Sequence, residues 1–462
     1  MTKWRPTRSS LVRPYYLSLA GEIRRAVAEG TIAANERLPP HRDLAHMLGL
    51  SVQTVSRAYD ALVREGILAG RVGSGTFVST ARQDPAYPFI ESSFGSGLID
   101  LSILKQVLSP WHAEKMSLAL SALAESTPDT AIFSFRPKTA LGPYRAAAQR
   151  WLGVCGLSVH SDQVQLTSGA TPAMSVAIQT AVPPGAAMAT ESTGHHQLIH
   201  LTKYLGRRLV GLDFDAEGIL PDALDAACRI ENLAALFVTP SCANPTAIMT
   251  GIDRRRALLA IARRHGIRVI ENDAWGPLIA DRPPPYAALA PDLVFYITSF
   301  TKITLPGLRA GMLVAPIGLH NDAAKRNLAG NWSAIPLVFE IISRWIDDGT
   351  AEEMVVRQRK ALEIRNRIAA AELAGLDYRA HPHGLHVWLN LPPPWGSEPF
   401  ILQLRQMGVA VAPASAFATE PGRTTDSVRV SLGPVTEDDL QRGLAVLRRL
   451  CDEEPSPAMF GL

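Results

Sequence analysis

The chain has 462 residues, of which 47% are apolar and 19% charged. The length indicates two or three domains. The composition allows large buried cores and argues against wholesale disorder. The net charge of +3 excludes a global basic field, so any nucleic-acid contact must come from a local patch.

The cysteines and the apolar runs narrow the class of protein further. Four scattered cysteines without a CxxC pair argue against a disulfide framework and a zinc site, and we expect no metal. The N-terminal stretch MTKWRPTRSSLVRPYY has no apolar signal core. Since no run of about 18 apolar residues occurs, we expect a soluble cytoplasmic protein without a membrane span.

The first 80 residues, here called the head, are predicted to form three helices and a hairpin. Apolar residues recur at helical spacing in YLSLAGEIRRAVAEG and LPPHRDLAHMLG, and each pattern stops at a glycine. The third pattern, SVQTVSRAYDALVREG, has Ser51 as its N-cap. Its predicted core face consists of Val52, Val55, Tyr59, Leu62 and Val63. ILAGRVGSGTFVS then predicts two short strands joined by a glycine-rich turn.

Two helices with a tight turn between them, followed by a hairpin, predict a winged helix-turn-helix whose second helix enters the major groove. The exposed face of that helix carries side chains able to bond base edges or phosphates, and the preceding helix and the wing each add an arginine. The predicted DNA contacts are Arg42, Ser51, Gln53, Thr54, Ser56, Arg57 and Arg71. Spacing alone does not separate this interpretation from a small helical domain that binds protein or nothing.

The head resembles the GntR family of bacterial regulators, almost position for position, across ERLPPHRDLAHMLGLSVQTVSRAYDALVREGILAGRVGSGTFV. The resemblance implies that the head binds double-stranded operator DNA. Many members carry an arginine directly after the serine that starts the recognition helix, whereas this chain has Val52 there. That departure leaves open which bases are read.

A stretch rich in proline, glycine and serine, TARQDPAYPFIESSFGSG, predicts a linker over residues 81–98. In residues 99–462, here called the body, helices alternate with the buried, parallel-type strands LAALFVTP, GIRVIEND and DLVFYITSF. This alternation predicts an α/β/α layered part with functional loops at the strand C-termini. After about residue 345, a long helix and the strands GLHVWLNLP and SVRVSLG indicate a smaller α+β part.

The segment YITSFTKITLPGLRAG places Lys302 just past a strand and Arg309 seven residues later. Taken alone, such a lysine is usually a solvated side chain. A lysine amine also condenses with the aldehyde of pyridoxal phosphate, a cofactor that needs several further groups. These groups are a phosphate cup, a partner for the ring nitrogen, a donor to the ring oxygen and a plate against the ring. The chain offers a candidate for each.

The phosphate cup is predicted where QLTSGATPAM joins a strand to a helix, because backbone N–H groups and the helix dipole there hold an anion. Asn244, in VTPSCANPTA, is the candidate for the ring oxygen, and His195, in TESTGHH, for the ring face. Each signal is weak alone, since Asn-Pro usually starts a turn and a lone histidine is usually structural. The predicted phosphate ligands are Gly169, Ala170, Thr171, Ser299, Thr301 and Arg309.

Nearly the whole body resembles the fold-type I aminotransferases, whose cofactor-lysine motif S-x-S/T-K-x-x-x-P-G-x-R appears here as SFTKITLPGLR. The match implies that Lys302 holds pyridoxal phosphate as a Schiff base and that Arg309 binds its phosphate. It also implies that Asn244 bonds the ring oxygen and that His195 replaces the usual stacking tyrosine. Arg429, in SVRVSLG, falls on the arginine that grips the α-carboxylate of an amino acid.

Two further departures from that family concern the cofactor ring. The position of the usual ring-nitrogen aspartate holds Asn272, which can hydrogen-bond the nitrogen but cannot hold it protonated by charge. Because neighbours on a strand face opposite ways, Asp273 serves instead only if the strand end is bulged. Trp275 stands where a tyrosine normally lies near the ring oxygen, and its indole N–H can still donate.

The whole chain resembles the MocR subfamily, in which a GntR-type head is joined by a linker to an aminotransferase-like body. The resemblance implies a head-to-tail homodimer that regulates transcription. A small amine or amino acid would displace Lys302 from the cofactor, forming an external aldimine, and so alter DNA binding at genes of amino-compound catabolism or vitamin B6 metabolism.

Two alternatives to a sensor remain open. One is a working aminotransferase whose head tethers it to DNA, and the other is a DNA-bound scaffold with a dead pocket. The substitutions Asn272, Trp275 and His195 disfavour full transferase activity, although a residual half-reaction stays compatible with them. Lys302 and Arg429 disfavour the dead pocket.

Overall fold

A computed structural model describes residues 4, 6–8, 11–28, 30–33, 35–64, 67–71, 75–78, 97–129, 133–134, 140–420 and 425–455. The chain forms two units, Met1–Ser92 and Ser93–Leu462. Most of the predicted linker, residues 81–98, lies outside the described residues, and so does the side chain of Arg71.

The first unit consists of helices followed by an antiparallel hairpin, which confirms the predicted winged helix-turn-helix. Its elements are α1 (Tyr15–Ala28), α2 (His41–Leu48), α3 (Val52–Arg64), β1 (Leu68–Arg71) and β2 (Gly75–Val78). Gly49, with φ at 59°, ends α2 in the left-handed conformation that favours glycine.

The core of the first unit corrects one detail of the predicted face of α3. Val55, Tyr59 and Leu62 are buried as predicted, and the Tyr59 hydroxyl donates to the Pro39 carbonyl at 2.8 Å. Val52 and Val63, however, are 44% and 43% exposed. At 3.6 residues per turn both lie on one flank of the arc that the buried residues define, and they therefore face solvent.

The second unit begins with the strands and helices of a large layered part. In chain order these are β3 (Ile99–Asp100), α4 (Pro110–Glu125), α5 (Tyr144–Val154), β4 (Val164–Thr167), α6 (Ala170–Ala181), β5 (Ala187–Glu191), α7 (His196–Tyr204), β6 (Arg208–Leu212), β7 (Phe214–Asp215), β8 (Gly218–Ile219), α8 (Pro221–Ile230), β9 (Leu233–Val238), α9 (Ile252–His265), β10 (Arg268–Asn272), α10 (Tyr286–Leu289), β11 (Val294–Ser299), β12 (Gly311–Val314), α11 (His320–Asn331) and α12 (Pro336–Asp347). The elements that follow form a smaller part. These are α13 (Thr350–Glu372), β13 (Tyr378–Arg379), β14 (His386–Asn390), α14 (Ser397–Gln406), β15 (Val409–Ala410), β16 (Ala412–Pro413), β17 (Ser427–Ser431) and α15 (Glu437–Asp452).

A seven-stranded sheet organises the large part, in the order β4-β12-β11-β10-β9-β5-β6. Neighbours from β11 to β6 are parallel, and β12 runs antiparallel to both β11 and β4. The central strands β10 and β11 are buried along almost their whole length, as predicted for strands of the buried, parallel type. This arrangement confirms the predicted α/β fold class.

The pleat of β10 and β11 sends alternate side chains to opposite layers. Ile270 and Ile297 pack in the same apolar cluster as Met174 of α6. Val269 and Tyr296 belong to the cluster on the other face, which includes residues of α5 and α9. The carboxyl ends of the parallel strands therefore meet along one edge of the sheet, between layers that fix which way each side chain points.

The smaller part is the predicted α+β element, built on the sheet β13-β14-β17-β16. One cluster of apolar side chains joins this sheet to its helices, with Leu389, Phe400, Val430 and Leu447 fully buried. The strand β3 pairs in parallel with β15, so the first described segment of the unit is tied to the smaller part. No helix of the described residues is long and apolar enough to cross a membrane.

A buried ion pair lies behind the edge of the large sheet. Arg255 and Glu271 are both fully buried, with 3.8 Å between their charged atoms. The Glu271 carboxylate also accepts the backbone N–H groups of Tyr286 and Ala287, each at 3.0 Å. Arg255 donates to the carbonyl of Thr250 at 2.9 Å. The pair thus joins α9, β10 and the start of α10 in one hydrogen-bonded network.

We expect Glu271→Ala to destabilise the protein by about 3–5 kcal/mol, because it leaves the guanidinium of Arg255 buried without its charge partner. Urea unfolding followed by circular dichroism measures the change. Asp292→Asn is the matched control, since it removes the partner of Arg263 in an ion pair that is more than half exposed. Equal shifts of the unfolding midpoint in the two variants would contradict this prediction.

Candidate functional site

The predicted site residues of the body lie just beyond the carboxyl ends of the large sheet's strands. Gly169 follows β4, His195 follows β5, and Asn244 follows β9. Asn272 is the last residue of β10, and Lys302 lies in a short turn of 3₁₀ helix directly after β11. The parallel arrangement therefore brings together residues that are up to 133 positions apart in the sequence.

The amine of Lys302 lies in an environment that disfavours its charge. The side chain keeps some solvent contact, but its Nζ donates to the Leu104 carbonyl at 2.6 Å within the protein. Burial first, and then the positive charges of Arg429 and Arg309, together lower the pKa of Lys302 to about 8. A much larger fraction of this lysine is therefore neutral and nucleophilic near pH 7 than for an ordinary lysine.

An anion cradle forms where β4 turns into α6. Gly169 caps the helix with φ at 99°, and a Cβ there would lie 2.9 Å from a guanidinium nitrogen of Arg309. A Cβ on Gly311 would come within 2.5 Å of the Gly169 carbonyl carbon, so the two backbones pass at a distance that only glycine permits. The free N–H groups of the helix start and the arginine fork thus adjoin each other, which is the arrangement that a phosphate requires.

The remaining predicted phosphate ligands lie around this cradle. Ala170 and Thr171 form the first turn of α6, and the Thr171 hydroxyl donates to the Gln197 side chain at 2.9 Å. Ser299, the last residue of β11, is buried, and Thr301 is half-buried in the turn that carries Lys302.

Arg429 of β17 is a buried cation that reaches from the smaller part to the large part. It donates to the Asn244 side-chain oxygen at 2.8 Å and to the Ser102 carbonyl at 2.5 Å, and it lies 4.9 Å from the ring centre of Phe417. Burial lowers its pKa to about 9, so it stays charged at neutral pH. Among the described residues no carboxylate pairs with it. A buried cation without a counter-charge has the chemistry to hold an anion such as a carboxylate.

Asn272 and Asp273 face opposite sides of the sheet. The Asp273 carboxylate accepts the Tyr296 hydroxyl at 2.6 Å and is paired with Arg282, on the face of α5 and α9. Asn272 lies on the α6 face, where its amide nitrogen is 3.8 Å from the sulfur of Met174. β10 and β11 keep regular register up to Asn272, without a bulge. The carboxylate is thus held away from the face on which Asn272 lies.

Two neutral imidazoles line the same region. His195 stacks on His196 at 5.0 Å, and burial followed by the charges of Lys302 and Arg429 lowers its pKa to about 4. Its Nδ1 is buried and has no partner among the described residues. A neutral, flat ring with an unused nitrogen suits a plate against an aromatic cofactor.

Sequence reasoning missed His386 of β14. Its Nε2 lies 3.2 Å from the Ala243 carbonyl, and its ring stacks on that of Trp275 at 6.0 Å. Burial, then the charge of Arg429, lowers the pKa of His386 to about 3. The signal was present in GLHVWLNL, because a histidine inside an otherwise apolar strand needs a polar partner. Phe417, beneath Arg429, gives no comparable signal in the sequence.

In the head, the hydroxyl groups of the recognition helix are engaged locally. The backbone N–H of Thr54 donates to the Ser51 hydroxyl at 3.1 Å, and the two hydroxyls are 2.8 Å apart. The guanidinium of Arg57 lies 4.2 Å from the ring centre of Tyr16. Among the other predicted DNA contacts whose side chains the structure describes, Arg42 and Gln53 are exposed and Ser56 is half-buried.

The fold and the site together define an aminotransferase-type body that follows, along the chain, a head of a DNA-binding type. Residues 15–78 match the family of bacterial regulatory proteins called the gntR family. Residues 120–447 match aminotransferase class I and II, and the chain therefore belongs to that family. That family's fold generally holds pyridoxal phosphate, and the lysine, the anion cradle and the neutral imidazole plate described above fit that cofactor.

Relatives share this two-part organisation. The HTH-type transcriptional regulator YdeF of Bacillus subtilis is 27% identical over 97% of both chains. The probable rhizopine catabolism regulatory protein MocR of Rhizobium meliloti is 26% identical over 78% of this chain and 77% of its own. These relatives confirm the predicted resemblance to MocR-type regulators.

Among solved structures, the kynurenine aminotransferase of Pyrococcus horikoshii is 21% identical with a TM-score of 0.71. The match covers 78% of this chain and 92% of that chain, which shows the shared fold.

We expect covalent loading of cofactor-free protein with pyridoxal phosphate to rise with pH through a midpoint near 8. Below that pH the amine of Lys302 is protonated and unreactive, and above it the amine is neutral, so loading levels off by about pH 9. Borohydride trapping followed by peptide mass spectrometry measures initial rates at each pH. Arg429→Met removes a positive charge and should move the midpoint upward. A wild-type midpoint near the ordinary value of 10.5 would refute this expectation.

Proposed function

We propose that this protein is a transcriptional regulator that detects a primary amine through pyridoxal phosphate attached to Lys302. One observation carries the proposal above the others. A site equipped to hold the cofactor and a carboxylate occurs in a chain with a gntR-family head, and it has Asn272 in place of the carboxylate that transfer chemistry uses.

Pyridoxal phosphate, when bound, supplies an aldehyde carbon that condenses with amines and a ring that withdraws electrons. The residues of this chain supply its setting. Gly169 and Arg309 would hold the phosphate, Asn244 would donate to the ring oxygen, and His195 would cover one face of the ring. Lys302 provides an amine whose lowered pKa lets it leave and return as a neutral group near pH 7–8.

The effector is a primary amine that carries a carboxylate or a similar acid group. Arg429 is the anion ligand, and its hydrogen bond to Asn244 places that ligand beside the ring oxygen. An amino acid meets both requirements at once, with its amine at the cofactor and its carboxylate at the guanidinium. An amine without an acid group leaves Arg429 buried and unpaired, which costs affinity.

Asn272 separates a sensor from a transferase. A carboxylate at this position keeps the ring nitrogen protonated, and the positive ring then accepts electrons during proton transfer. A neutral amide hydrogen-bonds the nitrogen without that charge. The carboxylate of Asp273 does not compensate, because Arg282 and Tyr296 already bind it on the other face of the sheet. The site therefore captures an amine readily and converts it slowly.

The regulatory output requires that the effector bind one arrangement of the protein better than another. In our proposal the protein is a homodimer whose two heads contact two operator half-sites, and effector binding shifts the arrangement of those heads. The controlled genes would serve the catabolism of amino compounds or vitamin B6 metabolism.

We expect an amino acid effector to change the affinity of the protein for duplex DNA by about five-fold or more, a typical coupling between two sites. The experiment selects a duplex from a random library with wild-type protein and then titrates amines in matched pairs, each amino acid with its decarboxylated amine. Only the carboxylated member should act. Lys302→Ala and Arg429→Met should keep DNA binding and lose the response. A response that survives Lys302→Ala would refute cofactor-based sensing.

We expect Asn272→Asp to accelerate keto-acid formation from an effector amino acid by about ten-fold to 100-fold. This is the rate factor that corresponds to the free energy of one hydrogen bond to a charged group. Coupled dehydrogenase assays measure the product. Asp273→Asn is the matched control, which should lower stability by unpairing Arg282 without raising the rate. Wild-type turnover of about one per second or faster would favour the aminotransferase interpretation instead.

A further inference from the structure

The first turn of the recognition helix α3 presents few side chains that are free to read bases. The hydroxyls of Ser51 and Thr54 bond each other and cap the helix. Arg57, one turn further, lies against the ring of Tyr16. Val52 and Gln53 are the remaining exposed residues at the start of the helix. Among the described residues, neither side chain is held by a hydrogen bond.

Val52 does not serve the core. The buried face of α3 consists of Val55, Ala58, Tyr59 and Leu62, whereas Val52 is 44% exposed. A lone exposed valine is ordinary on a protein surface and carries no argument by itself. Its location does, because Val52 is the first residue of the second helix of a helix-turn-helix, and N-terminal residues of that helix contact base edges in the major groove.

The chemistry of the base edges decides what a valine can recognise there. Guanine, cytosine and adenine present hydrogen-bond donors or acceptors in the major groove, and a valine laid against these groups removes water from them without replacing its hydrogen bonds. Thymine presents an O4 acceptor as well, but beside it lies an apolar 5-methyl group that the other three bases lack. Two methyl groups of a valine pack against that methyl and bury apolar surface on both sides.

We propose that Val52 packs against the 5-methyl group of a thymine in each operator half-site and thereby specifies that base. This inference rests on the proposed function in two respects, since the head must bind duplex DNA and two heads must contact two half-sites. It concerns a residue at which the chain departs from the arginine found in many GntR members, and it assigns that position an apolar contact in place of a hydrogen-bonded one.

The test removes the methyl group from the DNA and the valine from the protein in turn. Wild-type full-length protein selects a duplex from a random library, and each conserved thymine of the selected site is replaced singly by deoxyuridine, which lacks only the 5-methyl. At one thymine per half-site we expect binding to weaken about four-fold, the effect of one methyl group no longer buried. Fluorescence anisotropy with full-length protein measures each affinity.

Val52→Ala supplies the second arm. With this variant the same deoxyuridine should weaken binding less than about 1.5-fold, since the two γ-methyl groups that pack against the thymine methyl are gone and the shorter Cβ does not reach it. Gln53→Ala is the matched control from the same turn, and with it the penalty of the deoxyuridine should stay about four-fold. Val52→Arg, in a fresh selection, should replace the thymine by guanine, because arginine binds the guanine edge in bidentate fashion.

The outcomes separate this inference from the proposed function. The role of Val52 would be overturned if no selected thymine showed a deoxyuridine penalty that disappears in Val52→Ala. DNA binding by the head would still stand in that case. Equal penalties in wild type and Val52→Ala would overturn the role of Val52 equally, since the methyl would then act on DNA shape alone. Failure of wild-type protein to select any sequence would overturn both the inference and the proposed function. The deoxyuridine arm needs no protein variant, so a folding defect cannot decide the result.

Discussion

The hydrogen bond from Arg429 to Asn244 is the interaction on which the rest of the site depends. It joins a strand of the smaller part to a loop of the large part, and it carries a full positive charge into the protein. That charge, after burial itself, lowers the pKa of Lys302, His195 and His386 together. Burial and this guanidinium together leave the two imidazoles neutral near pH 7 and make a larger fraction of the amine neutral than in an ordinary lysine. By the same linkage, a carboxylate that pairs with Arg429 screens this charge and favours the protonated lysine.

The pleat of the single strand β10 decides whether a carboxylate or an amide lies on the α6 face of the site. A carboxylate is present one residue away from Asn272, but a shift of one position along a strand moves a side chain to the opposite face. Asp273 consequently belongs to the network of Tyr296 and Arg282, where it supports the layer behind the sheet. The amide that remains on the α6 face retains a hydrogen-bonding role and loses the electrostatic one. In the proposed function, one position of sequence thereby separates capture of an amine from its chemical conversion.

The sequence was sufficient for those features that local pattern encodes. The alternation of helices and apolar strands predicted the layered body, and the positions after strand ends predicted Gly169, Asn244 and Lys302, because parallel strands end along one edge. Contacts made across long separations were not predictable in this way. His386 meets Ala243 and Phe417 meets Arg429 only once the smaller part packs on the large one. In α3, the 3.6-residue period identified the helix correctly and still misplaced Val52, because flanking positions of an amphipathic arc can face either way.

The two recognition tasks of the chain rest on different physical forces, and this limits what an effector can regulate. The predicted contacts of arginines such as Arg42 with phosphates would be electrostatic and weaken with salt, whereas the proposed packing between Val52 and a methyl group would be apolar and nearly indifferent to salt. In the proposed homodimer, a shift in the arrangement of the two heads would change whether both engage their half-sites at once, and so would change their effective concentration. It leaves the base preference of each head unaltered, because that preference resides in side chains of the first turn of α3. Under the proposed function, an effector therefore tunes occupancy of a fixed operator sequence and does not redirect the protein to another one.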